Sequence, residues 1–181
     1  VSAFIGALLA VVFVRLSGAF MAIGTLGFAF FVGTVVNNVP IFEGRSGIFL
    51  DNNVILGIQI EDFGFYYTSV ASLLFVTLAV YCMVNSGTGR AFMALRDSEN
   101  AAKASGVNRL LYRVLSFAIS AGIIGIAGAL NAHVVNYVSA EVYADIWYSV
   151  DILIAVVVGG PAILFGPYLG GIFVVMLPFF L

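Results

Sequence analysis

Long stretches of this chain carry no charge, and that leaves few ways for it to fold. Residues 19–36 and 67–86 hold neither an acid nor a base. Charged residues are 9% of the whole, against about 25% in an ordinary soluble domain, too few to coat a water-facing surface. A soluble enzyme, a secreted disulfide module and a disordered tail are therefore excluded. A bilayer takes about 20 helical residues per crossing, so the 181 residues present supply about five or six crossings. The expected fold class is all-α, a polytopic integral membrane bundle of five to six spans or part-spans.

Residues 1–14 form a first apolar run, stopped by Arg15-Leu16-Ser17-Gly18. A second covers 19–36. Residues 37–66 are more polar and hold Pro40, Glu43, Arg45, Asp51, Glu61 and Asp62. Spans at 67–86 and 111–135 flank a basic segment, 87–110, and a short acidic connection follows at 137–145. An apolar helix then begins at Trp147, breaks at Gly159-Gly160-Pro161 and resumes after Gly166-Pro167. The runs are continuous rather than alternating, which fits helices and not a β-barrel. Lone Cys82 lies in a span, so no disulfide forms within the chain. The end runs, 1–14 and 168–181, would each extend about 21 Å as helix, short of a core about 30 Å thick. Residues 1–181 thus read as one partial transmembrane domain of a longer protein.

Orientation follows Lys and Arg alone. Of the seven basic residues, Arg90, Arg96, Lys103, Arg109 and Arg113 lie in or beside segment 87–110, whereas 37–66 holds one and 137–145 none. The basic loop is expected in the cytoplasm and 37–66 outside. Trp147, Tyr137, Tyr143 and Tyr148 would form part of an outer aromatic belt.

Within the basic loop, Asp97 or Ser98 suits a helix N-cap and Glu99 its first turn. Ala101, Ala102 and Ala104 favour helix, and Gly106 is a natural stop. A short helix between two spans, with side chains small enough for another surface to approach, is expected. The bland alternative is a solvated loop that only sets topology.

Glu99-Asn100-Ala101-Ala102, with Gly106 after it, resembles the Glu-Ala-Ala…Gly coupling loop of ABC importer permeases. Gly89-Arg90-Ala91…Ala94-Leu95-Arg96-Asp97 is similar, more narrowly, to the M-type subunit of branched-chain amino acid permeases. The match continues through Ser116-Phe117-Ala118, Gly125-Ile126-Ala127-Gly128, Ala132-His133, Val158-Gly159-Gly160, Phe165-Gly166-Pro167 and Leu177-Pro178. It is looser at Arg15-Leu16-Ser17-Gly18 and Ala22-Ile23-Gly24-Thr25-Leu26-Gly27-Phe28. The sequence departs from the family where Phe30 and Phe179 stand in place of acids, and where Phe42-Glu43-Gly44-Arg45-Ser46-Gly47-Ile48 keeps two of three loop glycines.

The resemblance implies a permease subunit working by alternating access in a bacterial or archaeal inner or plasma membrane. Its implied partners are cytoplasmic ABC ATPase subunits, a second related permease and an extracytoplasmic solute-binding protein, with no nucleic acid. The implied solute is a branched-chain amino acid or a similar small polar molecule; urea and short-chain amides compete. Arg90, Leu95, Arg96, Asp97, Glu99, Ala101, Ala102 and Gly106 would meet the ATPase. This stretch has no Walker A loop, because Lys103 is its one lysine and Ala102 precedes it. No enzyme activity, cofactor or metal is expected.

Three further features carry readings of both kinds. Ala118 and Gly122, then Ala121, Gly125 and Ala129, then Gly128 and Ala132 are spaced by four, as for close helix packing or a sliding surface. The break at Gly159, Gly160, Pro161, Gly166 and Pro167 is either an interfacial turn near the cytoplasmic face or irregular backbone lining a cavity. Asn131, His133, Ser149 and Asp151, with Asn136 beside them, are either interfacial polar groups or the lining of an outer vestibule. Two other classes compete: an ion-coupled secondary transporter, with Asp151 its one candidate coupling carboxylate, and an intramembrane enzyme, most of whose sites the single histidine rules out.

Overall fold

The computed structural model describes residues 1–13, 19–39, 47–49, 54–55, 58–59, 62–139, 146–160 and 165–180. Arg15, Glu43, Arg45, Tyr143, Asp145 and Pro161 lie outside them. Eight helices appear among the described residues: α1 (Ser2–Phe13), α2 (Ala19–Asn38), α3 (Asp62–Val84), α4 (Gly87–Asp97), α5 (Glu99–Ala104), α6 (Arg109–Val135), α7 (Ile146–Gly159) and α8 (Gly166–Phe180). Four two-residue strands punctuate the connections: β1 (Ile48–Phe49), β2 (Val54–Ile55), β3 (Ile58–Gln59) and β4 (Tyr137–Val138). β2 and β3 pair antiparallel, Val54 with Gln59 and Ile55 with Ile58.

Gly64–Val84 and Arg109–Val135 are long and apolar enough to cross a membrane, and Ser2–Phe13, Ile23–Asn38, Trp147–Gly159 and Gly166–Pro178 are shorter apolar helices. The expected helical bundle of spans and part-spans is what the chain forms. In hydrocarbon every polar group needs a partner within the protein. Hydroxyls on α3 and α2 find theirs one turn back: Thr68 Oγ1 donates to the Gly64 carbonyl at 2.8 Å and Ser69 Oγ to Phe65 at 2.9 Å. Thr77 does the same to Leu73 at 2.7 Å, and Thr34 to Phe30 at 2.9 Å.

The chain divides into two compact units, residues 1–25 with 49–137 and residues 26–48 with 138–181. In the first, α1 packs antiparallel on α6 through small residues. A methyl placed on Gly6 would overlap the Ala121 side chain and the Phe117 carbonyl, and one on Gly125 would overlap Ser2. A methyl on Gly122 would meet the Ala3 Cβ at 3.5 Å, and Ala10 is fully buried. The lower part of the small-residue stripe on α6 is therefore a packing surface, whereas a methyl on Gly128 meets nothing within 4 Å. At the corner between α3 and α4, buried Gly89 admits no side chain, because a Cβ would enter the Val84 carbonyl. Phe49 of β1 stacks on Tyr137 of β4 with ring centroids 5.0 Å apart.

In the second unit, α7 and α8 form an antiparallel hairpin in close backbone contact. Methyls on Gly159 and Gly170 would overlap the carbonyls of Gly166 and Ala155. Gly160 leaves α7 at φ 90°, and its N–H donates to the Val156 carbonyl at 3.0 Å. Pro167 falls in the first turn of α8, where its missing N–H costs nothing.

Replacing Gly6 by Leu should lower the melting temperature in detergent, since overpacking a tight contact costs about 1–3 kcal/mol. Gly128→Ala should leave it unchanged or slightly higher. A thermal melt of the two variants beside the parent checks both.

Candidate functional site

The described charges gather where α4, α5 and the start of α6 meet. α4 continues from α3 through Asn85 and Ser86, and its Phe92 meets Tyr112 of α6 edge-on, centroids 5.4 Å apart. Ser98 serves two helices at once. Its N–H donates to the Ala94 carbonyl at 3.0 Å to end α4, and its Oγ accepts the Ala101 N–H at 3.3 Å to start α5. The capping expected of Asp97 or Ser98 belongs to Ser98.

α5 ends in a Schellman motif. Gly106 sits at φ 81°, its N–H donates to the Lys103 carbonyl and the Val107 N–H to the Ala102 carbonyl, both at 3.0 Å. A Cβ on Gly106 would meet nothing within 4 Å. Glycine is required there by backbone conformation rather than by a need for flatness. Two residues on, Asn108 Oδ1 accepts the N–H groups of Leu110 at 3.0 Å and Leu111 at 3.4 Å, capping α6. The sequence reading missed Asn108, although Asn two residues after a helix-stopping glycine is a recognisable start signal.

Glu99 turns inward. Its carboxylate meets Arg109 Nη1 at 2.9 Å and Arg113 Nη2 at 3.5 Å, so one acid bridges two bases a helical turn apart on α6. Arg109 Nε is buried without a hydrogen-bond partner among the described residues. Ala102 is buried while Ala101, Lys103 and Ala104 are exposed, so α5 shows its small and basic residues outward. Arg96 pairs with Asp97 at 3.1 Å on the open surface, where such pairs contribute little. Arg90 is exposed and Leu95 half-buried. A cavity of about 320 Å³ lies behind the elbow, lined by Leu95, Arg96, Glu99, Arg109 and Arg113 among others.

A family model described as branched-chain amino acid transport system / permease component matches residues 1–178. The chain belongs to this permease family. It is 30% identical, over 204 aligned positions, to the high-affinity branched-chain amino acid transport system permease protein LivM of Salmonella typhimurium, covering 97% of this chain and 47% of that protein. LivM of Escherichia coli is 30% identical over 199 positions, covering 94% of this chain and 46% of that protein. The chain thus spans about half the length of the curated relatives it matches. No solved structure matches it significantly. Membership of a family of transport-system permease components agrees with the multi-pass helical membrane fold described above.

The other sequence-derived positions fall in both units. Asn131 and His133 lie on the last turns of α6 in the first unit. His133 packs on buried Phe65 with centroids 5.6 Å apart, and its Nδ1 is buried without a hydrogen-bond partner among the described residues. Asn136, at φ 54°, is the left-handed C-cap of α6, a conformation Asn tolerates well. Ser149 and Asp151 lie on α7 in the second unit, with Asp151 exposed. α7 is described from Ile146, so Asp151 is its sixth residue and stands past the first turn.

Gly106→Ala should destabilise α5 by about 1–2 kcal/mol, the usual cost of a left-handed L-residue, with Gly106→Asn less affected. Ser98→Ala should cost about 1 kcal/mol as a lost cap. Faster amide hydrogen exchange across residues 99–107 is the readout for all three.

Proposed function

We propose that the chain is the membrane-spanning permease part of an ATP-driven importer for branched-chain amino acids or similar small polar solutes, working by alternating access. Family membership supports this reading, and one structural observation carries it: the capped elbow of α4, α5 and α6. Ser98, Gly106 and Asn108 hold a six-residue helix rigidly between two longer ones, with exposed Ala101 and Ala104 offering little obstruction to a docking surface. A loop that only set topology would not need three consecutive caps.

In this reading 87–110 is the cytoplasmic coupling loop and 37–66 is extracytoplasmic. An ATPase subunit presses on the outward face of α5, a second permease completes the channel, and a solute-binding protein delivers from outside. The antiparallel packing of α1 on α6 supports that orientation, because it brings the C-terminal end of α1 to the level of the Arg109 end of α6. Asn131, His133, Ser149 and Asp151 are read as polar groups toward the outer mouth. The turn between Gly159 and Gly166 is read as a rigid hairpin corner, given the backbone contact on both sides of it.

The test is reconstitution of the full-length permease with its neighbouring ATPases and binding protein in proteoliposomes. Leucine, isoleucine or valine should accumulate only with ATP on the ATPase side. Preferred uptake of urea or a short-chain amide would change the solute and keep the mechanism. Uptake driven by an ion gradient without ATP would replace it with an ion-coupled secondary transporter. Orientation is checked separately: Ser98→Cys in a Cys82→Ala background should resist an impermeant thiol reagent in intact cells and react after permeabilisation.

A further inference from the structure

The resemblance places Glu99 on the face that meets the ATPase, but in the structure its carboxylate, 43% exposed, reaches across to α6. We infer that Glu99 is a positioning residue, a strut that ties α5 to the first turns of α6 so that a push on α5 moves α6. This rests on the coupling role proposed above for the elbow.

Three observations carry it. The carboxylate uses both oxygens on α6, Oε2 to Arg109 at 2.9 Å and Oε1 to Arg113 at 3.5 Å. Arg109 and Arg113 stand four residues apart, on one face of α6, so a single acid grips the helix along its axis. The first turn of α6 also lacks an acid of its own and begins with Arg109, a cation at the end of a helix where the dipole favours an anion. Glu99 supplies that missing negative charge from the neighbouring helix. Joined to two guanidinium groups, and with Ala102 buried on the same side of α5, it leaves Ala101, Lys103 and Ala104 as the outward surface.

The experiment uses the full-length permease assembled with its ATPases and binding protein in proteoliposomes. It compares the parent, Glu99→Gln, and the exchange Glu99→Arg with Arg109→Glu. Solute moved per ATP hydrolysed, ATPase subunits retained on purification, and melting temperature are measured together. The strut expects Glu99→Gln to retain the ATPase subunits, to melt within a few degrees of the parent, and to move several-fold less solute per ATP. The exchange keeps an acid at the start of α6 and should return that ratio to within about twofold of the parent, since an opposite-charge pair again spans the two helices.

Loss of ATPase subunits from Glu99→Gln would make Glu99 a docking residue and overturn the inference. An unchanged ratio in Glu99→Gln would overturn it too. If that variant does not accumulate in the membrane, the exchange decides: recovered coupling supports the strut, and an assembled but uncoupled exchange overturns it. A parent complex with no ATP-dependent uptake would count against the proposed function itself, which keeps the two failures apart.

Discussion

A peptide group in hydrocarbon has no water to turn to, so the helix that contains it must satisfy it. Most of this structure follows from that constraint. α3 and α6 are uninterrupted because a break inside the membrane would orphan carbonyls and amides. Ser and Thr residues of α3 survive because a hydroxyl can donate to a carbonyl one turn back, as Thr68, Ser69 and Thr77 do. Once each helix is closed on itself, little that is polar remains along the spans to choose a neighbour. Selection falls to shape.

Shape here is set by glycine and alanine, and glycine does two different jobs. At Gly6, Gly89, Gly125, Gly159 and Gly170 the reason is space: another chain segment already occupies the volume a Cβ would need. At Gly106, φ 81°, the reason is conformation, since the surrounding volume is empty. Gly160, at φ 90°, likewise serves the turn that ends α7. These roles cannot be separated by residue type, and substitutions at them fail for different reasons. The first kind disrupts packing between helices; the second disrupts the path of one segment.

Charge is left to the ends of the helices, and at the α4–α6 elbow it does what shape does elsewhere. Ser98 and Asn108 close their helix starts locally, whereas Glu99 reaches across to Arg109 and Arg113. The elbow is therefore both capped and cross-tied. Its outward face is small and basic, and its inward face carries the one acid that neutralises the start of α6.

The spans were legible in the amino-acid order because hydropathy is a local property, and the described helices match the apolar runs closely. Ser98 and Gly106 were legible for the same reason: a cap and a left-handed stop act within a few residues. The helical state of α4 was not, because Gly87, Gly89 and the polar residues around them weaken the local signal while tertiary contact with Val84 and Tyr112 holds the segment in place. Nor was the inward turn of Glu99, whose two partners lie ten and fourteen residues away on another helix. The sequence by itself determined that the chain lives in a membrane, where its apolar spans run, and where its loop helix starts and stops. Only the tertiary structure decided which small residues of α6 touch α1, which glycines are spatial, and which way Glu99 faces. In a membrane, lipid-facing and protein-facing side chains are alike in polarity, so the partner of each helix is written in fit rather than in composition.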